Sequence, residues 1–177
     1  MHVNITEATN TDQIEAVKRL IIDYALWLAD DHGISLKFQN IDEELAGLPG
    51  KYARPTGALR LATGANGTVL GCIALRPYAG KTGEIKRLFV APAARRSGHG
   101  SRLIADLITC ARDIGYRRLI LDTGEFMDPA QRLYEAHGFK NIPAYSPAPP
   151  GVTIRHLGRD LDHGGGDLRG SGIGLRS

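Results

Sequence analysis

Two arginines and two glycines stand within six residues in Arg95-Arg96-Ser97-Gly98-His99-Gly100, at the point where a β-strand gives way to a helix. That pattern suits an anion, above all a phosphate. The strand reads over Glu84 to Val90, with β-branched and aromatic residues, and Pro92 ends it because proline cannot donate to a ladder. From Leu103 the apolar residues Leu103, Ile104, Leu107, Ile108, Ala111 and Ile114 share one helical face, and Gly115 suits a left-handed stop. The loop therefore opens a helix, whose first turn offers N–H groups without intrahelical partners and the positive end of the macrodipole. Gly98 and Gly100 lack a Cβ and let a ligand oxygen approach the backbone, while Arg95 and Arg96 add fork-shaped donors. Ser97, His99 and Ser101 complete the candidate phosphate loop.

Several phosphate-binding motifs fail here. A P-loop needs Gly-Lys-Ser/Thr, which is missing. A dinucleotide fingerprint needs a third glycine where Leu103 stands, and a nucleophile elbow needs glycine where Arg95 stands. What remains is Arg-x-x-Gly-x-Gly after a strand ending in Val-x-Pro, which resembles the acyl-CoA loop of the GNAT superfamily of N-acetyltransferases. Downstream, Asp128 to Phe139 is similar to that superfamily's second signature, Ala-x-x-Leu-Tyr-x-x-x-Gly-Phe. Local rules give this helix its bounds: Asp128 with Gln131 as a capping box, Pro129 in the first turn, and Gly138 at the left-handed end. The resemblance runs from about Gly57 to Leu157. His2 to Tyr52 corresponds to the superfamily's variable N-terminal region, to which no residue roles transfer.

The resemblance implies an α/β fold with a mixed, mostly antiparallel central sheet flanked by helices, and acetyl-CoA as co-substrate. It also implies direct transfer of the acetyl group to an amine. The pantetheine arm is expected beside Leu88, Phe89 and Val90 like an added strand, where two neighbouring strands splay and a backbone N–H polarises the thioester carbonyl. By the same resemblance Tyr134 sits by the CoA sulfur and protonates the leaving thiolate, although local pattern alone makes it an amphipathic-helix residue. Many relatives carry an asparagine a few residues before that tyrosine, and Met127 occupies the place here. Rival readings are a non-catalytic acyl-CoA-binding regulatory module, or a transferase using another acyl group, an alcohol or a peptide amine. The presence of Tyr134 speaks against the first.

The residues around the acceptor admit two readings each. Glu84 is either an exposed strand-end carboxylate or the group that accepts the amine proton, directly or through water. Strict alternation places Glu84, Lys86, Leu88 and Val90 on one face of the strand and Ile85, Arg87 and Phe89 on the other. Arg76, Lys86 and Arg87 then mark either a sheet edge or a cationic pocket able to hold a substrate carboxylate. Trp27, Phe38 and Tyr52 are candidate walls of that pocket, against their reading as core aromatics. His99 and His137 read as loop and helix-end residues, and His32, His156 and His163 have no partners at metal-ligand spacing, so no metal is expected.

A chain of 177 residues is of one-domain size, and a formal charge of +3 is a mild excess. With no Lys/Arg run interleaved with aromatics nucleic acid is not an expected partner, and with no apolar run near membrane-spanning length neither is a membrane. The partners expected are acetyl-CoA and a small amine, with a homodimer allowed. Cys72 and Cys110 read as buried thiols, which implies a reducing cytoplasm, and the N-terminus lacks the build of a signal peptide. The element order reads as a strand at His2 to Glu7, a helix at Thr11 to His32 and a short helix capped by Asn40 and Glu43. Strands at 57–63 and 68–76 flank the Asn66-Gly67 turn, and Pro77 with Gly80 leads into 83–90. After the core helix come strands at Arg117 to Asp122 and 152–157, the former set up for a parallel crossover. Residues 1–162 are expected to form one N-acetyltransferase domain. Residues 163–177, with six glycines in fifteen, form an appended or mobile tail.

Overall fold

The Asn10 side chain accepts the Gln13 N–H at 2.9 Å while the Gln13 side-chain oxygen accepts the Asn10 N–H at 3.2 Å. This reciprocal cap starts α1, Thr11–His32, which Gly33 ends in the left-handed region. The computed structural model describes residues 2–36 and 40–162; Phe38 and the glycine-rich segment 163–177 lie outside the described residues. The remaining helices are α2 (Ile41–Gly47), α3 (His99–Ile114) and α4 (Asp128–Ala136). The strands are β1 (Val3–Glu7), β2 (Ala58–Gly64), β3 (Val69–Ala79), β4 (Thr82–Val90), β5 (Arg118–Gly124), β6 (Lys140–Asn141) and β7 (Ile154–Asp160). They form one sheet in the order β1-β2-β3-β4-β5-β7-β6, antiparallel throughout except between β4 and β5. The mixed, mostly antiparallel sheet agrees with the expected fold class.

Each face of the sheet buries one helix. Leu103, Ile104 and Leu107 of α3 are fully buried against Ile73, Leu75 and Ile85, and each such side chain contributes about 1.5–3 kcal/mol. On the other face Val17, Leu20 and Ile21 of α1 pack on Leu59, Cys72, Ala74 and Phe89. Both cysteines are buried and free.

Strand β4 departs from regularity in two ways. It pairs with β5 only over Thr82–Glu84 against Arg118–Ile120, so the two strands part beyond Glu84. It also bulges: Ala74 pairs with Lys86 but Cys72 with Phe89, giving β4 one residue more than β3, and Arg87 adopts a φ of 57°. The extra residue breaks the expected alternation. Leu88 and Val90 join Ile85 on the α3 side, while Phe89 joins the α1 side with Cys72 and Ala74. An L-residue in this region costs about 1–2 kcal/mol, which here is offset by what the Arg87 side chain binds.

Smaller expectations are also corrected. Asn40 takes a left-handed φ of 55° and makes no side-chain cap. Asp128 does not cap α4 either, since the N-cap is Met127. Gln131 instead donates to the carbonyls of Gly124 and Glu125, both at 2.9 Å, and so fixes the turn between β5 and α4. Pro77 lies inside β3, with the turn at Gly80, and the short β6 carried no strand signal.

Candidate active site

Where β4 leaves β5, a cleft of about 640 Å³ opens. Leu88, Phe89 and Val90 form one wall, and Pro129, Ala130 and Leu133 of α4 face them. The loop closes one end with Arg95, Arg96, Gly98, His99, Gly100 and Ser101; Ser97 is exposed and does not border the cleft. Arg96 and Gly98 both take left-handed φ angles, 64° and 78°, and this double bend starts α3 at His99 against the cleft. The first turn of a sixteen-residue helix thus offers its N–H groups to an anion.

The two glycines divide the work. A Cβ on Gly98 would meet nothing within 4 Å, so its backbone conformation is what calls for glycine. A Cβ on Gly100 would lie 2.8 Å from Leu133 Cδ2, so that glycine also lets α3 pack closely on α4. Arg95 folds back. Its Nε donates to the Val90 carbonyl at 3.2 Å, and its guanidinium lies 5.7 Å from the Trp27 ring and 5.6 Å from the Phe89 ring. Trp27 therefore walls this larger cleft. Ser101 Oγ lies 2.8 Å from His137 Nε2, and Arg159 donates to the His137 carbonyl, which ties the loop helix to the end of α4. Burial, then Arg159, lowers the His137 pKa, so its ring is neutral at pH 7.

A second cavity, of about 120 Å³, adjoins the cleft; Tyr24, Leu88, Phe126, Met127 and Ala130 border both. Tyr134 borders it. Tyr134 is 6% exposed, meets Phe139 edge to face at 5.8 Å, and has its pKa raised by burial with smaller contributions from Tyr24 and Asp122. Its hydroxyl is thus protonated at neutral pH. The Tyr24 hydroxyl, its own pKa pushed up to about 12 by burial, donates to Met127 Sδ at 3.7 Å.

The predicted acceptor residues separate. Lys86 borders the smaller cavity, its Nζ 3.6 Å from Glu84 and 3.7 Å from Asp122. Glu84 does not border it. It is 2% exposed and accepts Arg76 Nε at 2.7 Å and the Tyr145 hydroxyl at 2.7 Å, so it is neither an exposed carboxylate nor one open to a substrate. Arg76 is thereby held at Glu84, away from both cavities. Arg87 borders the cavity, yet its guanidinium is bound by Glu44 at 2.8 and 3.3 Å, and the Tyr52 hydroxyl donates to the same carboxylate. Tyr52 is buried in the core beside that pair, not a pocket wall.

Asp122 escaped the reading of the sequence. It borders the cavity, and its Oδ2 accepts the Ser146 hydroxyl at 2.8 Å. A carboxylate directly after the apolar run Leu119-Ile120-Leu121 was the available signal. Tyr145 and Ser146 lie in a proline-rich loop with no periodicity to betray them. Among the described residues no group of His, Cys, Asp and Glu could hold a metal ion, and no helix is long and apolar enough to cross a membrane.

This fold, with a strand pair that parts over a helix-opening loop, defines an acyltransferase class, and comparison places the chain within it. The profile described as Acetyltransferase (GNAT) family matches residues 20–139, and the chain belongs to that family. The match reaches into α1, upstream of where the motifs began. An uncharacterized N-acetyltransferase of Schizosaccharomyces pombe is 34% identical over 87% of this chain and 94% of its own length. An IAA acetyltransferase of Azospirillum brasilense is 37% identical over 48% of this chain and 56% of its own. A GNAT-family acetyltransferase structure from Staphylococcus aureus superposes with a TM-score of 0.73 over 91% of this chain and all of the other, at 22% identity.

Proposed function

We propose that the protein transfers the acetyl group of acetyl-CoA directly to the amine of a small molecule that bears a carboxylate. The observation that carries this reading is the meeting of the two cavities at Leu88 and Met127, with the loop at the far end of one and Tyr134, Lys86 and Asp122 around the other. The N–H groups at the start of α3 and Arg96 would hold the pyrophosphate, with Arg95 stacked behind them. The edge of β4 from Leu88 to Val90, without a β5 partner, would bind the pantetheine arm, and a backbone N–H there would stabilise charge on the carbonyl oxygen. Tyr134 would protonate the sulfur as the C–S bond breaks.

Of the three cations considered for the substrate carboxylate, Lys86 takes the part rather than Arg76 or Arg87. Its ammonium reaches the cavity and approaches protein carboxylates only at 3.6 and 3.7 Å, leaving donors for a substrate carboxylate, whereas both arginines are bound at 2.7–2.8 Å. Glu84 becomes a positioning residue that sets Lys86 and Tyr145. The free thiols of Cys72 and Cys110 fit action in a reducing cytoplasm. Thiol release from acetyl-CoA, followed across the standard amino acids and their decarboxylated counterparts, tests the reading. At least one amino acid should be acetylated and exceed its decarboxylated counterpart by about 10-fold or more in kcat/KM, one charge-assisted contact contributing about 1.5–3 kcal/mol. Preference for the decarboxylated amines would overturn it.

A further inference from the structure

We infer that Asp122, Ser146 and His156 form the proton-accepting relay of the acceptor site, a deepening that rests on the acetyltransferase reading above. The three groups are built together by the sheet. Asp122 on β5 and His156 on β7 are direct cross-strand partners, and Ser146 reaches in from the preceding loop, its Oγ 2.8 Å from Asp122 Oδ2 and 3.0 Å from His156 Nε2. Ser146 stands in the middle, so this is no nucleophile-and-base triad: the hydroxyl has a carboxylate on one side and an imidazole on the other. Asp122 borders the cavity; His156, 8% exposed, does not.

What faces His156 from each side favours proton passage. Tyr145 covers its ring edge to face at 4.9 Å, with the phenol turned away to Glu84 and its pKa raised by burial and by that carboxylate. Lys86 Nζ lies 3.7 Å from Asp122 Oδ2, and Arg155, the neighbour on β7, points away to Gln131, Glu135 and Asn141. Asp122 is thus the only carboxylate in contact with Ser146, and the imidazole is the only other proton acceptor there among the described residues.

The atoms balance. An acceptor arriving as an ammonium sheds two protons as its N–C bond forms and the C–S bond breaks; one ends on the CoA sulfur through Tyr134 and the other is released. In the relay the released proton arrives on Asp122, which then donates to the Ser146 oxygen, while the Ser146 hydroxyl, freed from Asp122, turns its own proton to the lone pair of His156 Nε2, the ring being the Nδ1–H tautomer. The carboxylate is restored, and an imidazolium remains to discharge to solvent. Asp122 is the catalytic base, and Ser146 and His156 act through it as positioning residues.

The test follows thiol release from acetyl-CoA across the neutral to alkaline range, first with water as the only nucleophile and then with the best amino acid. The water arm reads the relay even if no amino acid is accepted, which would sink only the proposed acceptor class. Ser146→Ala and His156→Gln, the latter keeping a hydrogen-bond acceptor for Ser146 but no basic nitrogen, should each lose about 10-fold or more at neutral pH and recover as rising pH deprotonates the nucleophile in solution. Ser146→Thr, which keeps the hydroxyl, should retain most activity. Rates unchanged from wild type, or losses equal at every pH in folded variants, would overturn the relay.

Discussion

Tyr134→Phe should lower kcat by roughly 10 to 10³-fold while leaving the affinity for acetyl-CoA nearly unchanged. General acids typically contribute about 10²–10⁴-fold, and a thiolate leaves well enough for water to replace part of that. The substitution is mild for the fold. The phenylalanine ring keeps its contact with Phe139, and among the described residues no protein group hydrogen-bonds the Tyr134 hydroxyl, so none loses a partner. Since burial raises the phenol's pKa, the group keeps its proton as pH rises through the ordinary tyrosine range, and no alkaline fall in kcat is expected from it. The check is kcat at saturating acetyl-CoA beside a direct Kd. An unchanged kcat would return Tyr134 to a structural role.

Glu44→Ala should cost about 3–5 kcal/mol of folding stability, because it removes the carboxylate that compensates a guanidinium only 6% exposed. The same carboxylate accepts the Tyr52 hydroxyl and secures Arg87 in its left-handed bulge. In a chain of this size about 1 kcal/mol moves Tm by roughly 2–4 °C, so calorimetry should show a fall of about 6 °C or more. Glu44→Gln, which keeps an oxygen acceptor, should lose less. A Tm within about 2 °C of wild type for Glu44→Ala would mean that the ion pair contributes no more than exposed pairs do.

What could be read ahead of the structure was local. Thr11 to His32, the turn at Asn66-Gly67 and the helix closed by Gly115 all declare themselves through 3.6-residue periodicity, turn dipeptides and glycine stops. The bulge at Arg87 does not, because it depends on a guanidinium finding Glu44 forty-three residues away. One inserted residue reversed the assignment of Leu88, Phe89 and Val90 to the two faces, as any change of register must. The acceptor side was illegible for a related reason. Asp122, Lys86 and Ser146 meet where β4 and β5 part and a proline-rich loop comes in, and no spacing along the chain records those contacts. The phosphate loop was legible because its residues are contiguous, although the contact of Gly100 with Leu133 of α4 was not.

Acetyl-CoA binding to the cleft beside Trp27 is the most direct measurement of the central claim. Trp27 is the sole tryptophan, walls the cleft and lies against Arg95, so its emission should respond to an occupant of that cleft. Titration with acetyl-CoA should change the emission saturably, and acetyl-CoA at about 100 times its Kd should raise stability by about 2.7 kcal/mol. Tm should then rise by roughly 5–10 °C. NAD, which carries a pyrophosphate but no pantetheine, should give a far smaller shift. Equal shifts with the two ligands, or no response to acetyl-CoA, would contradict the account.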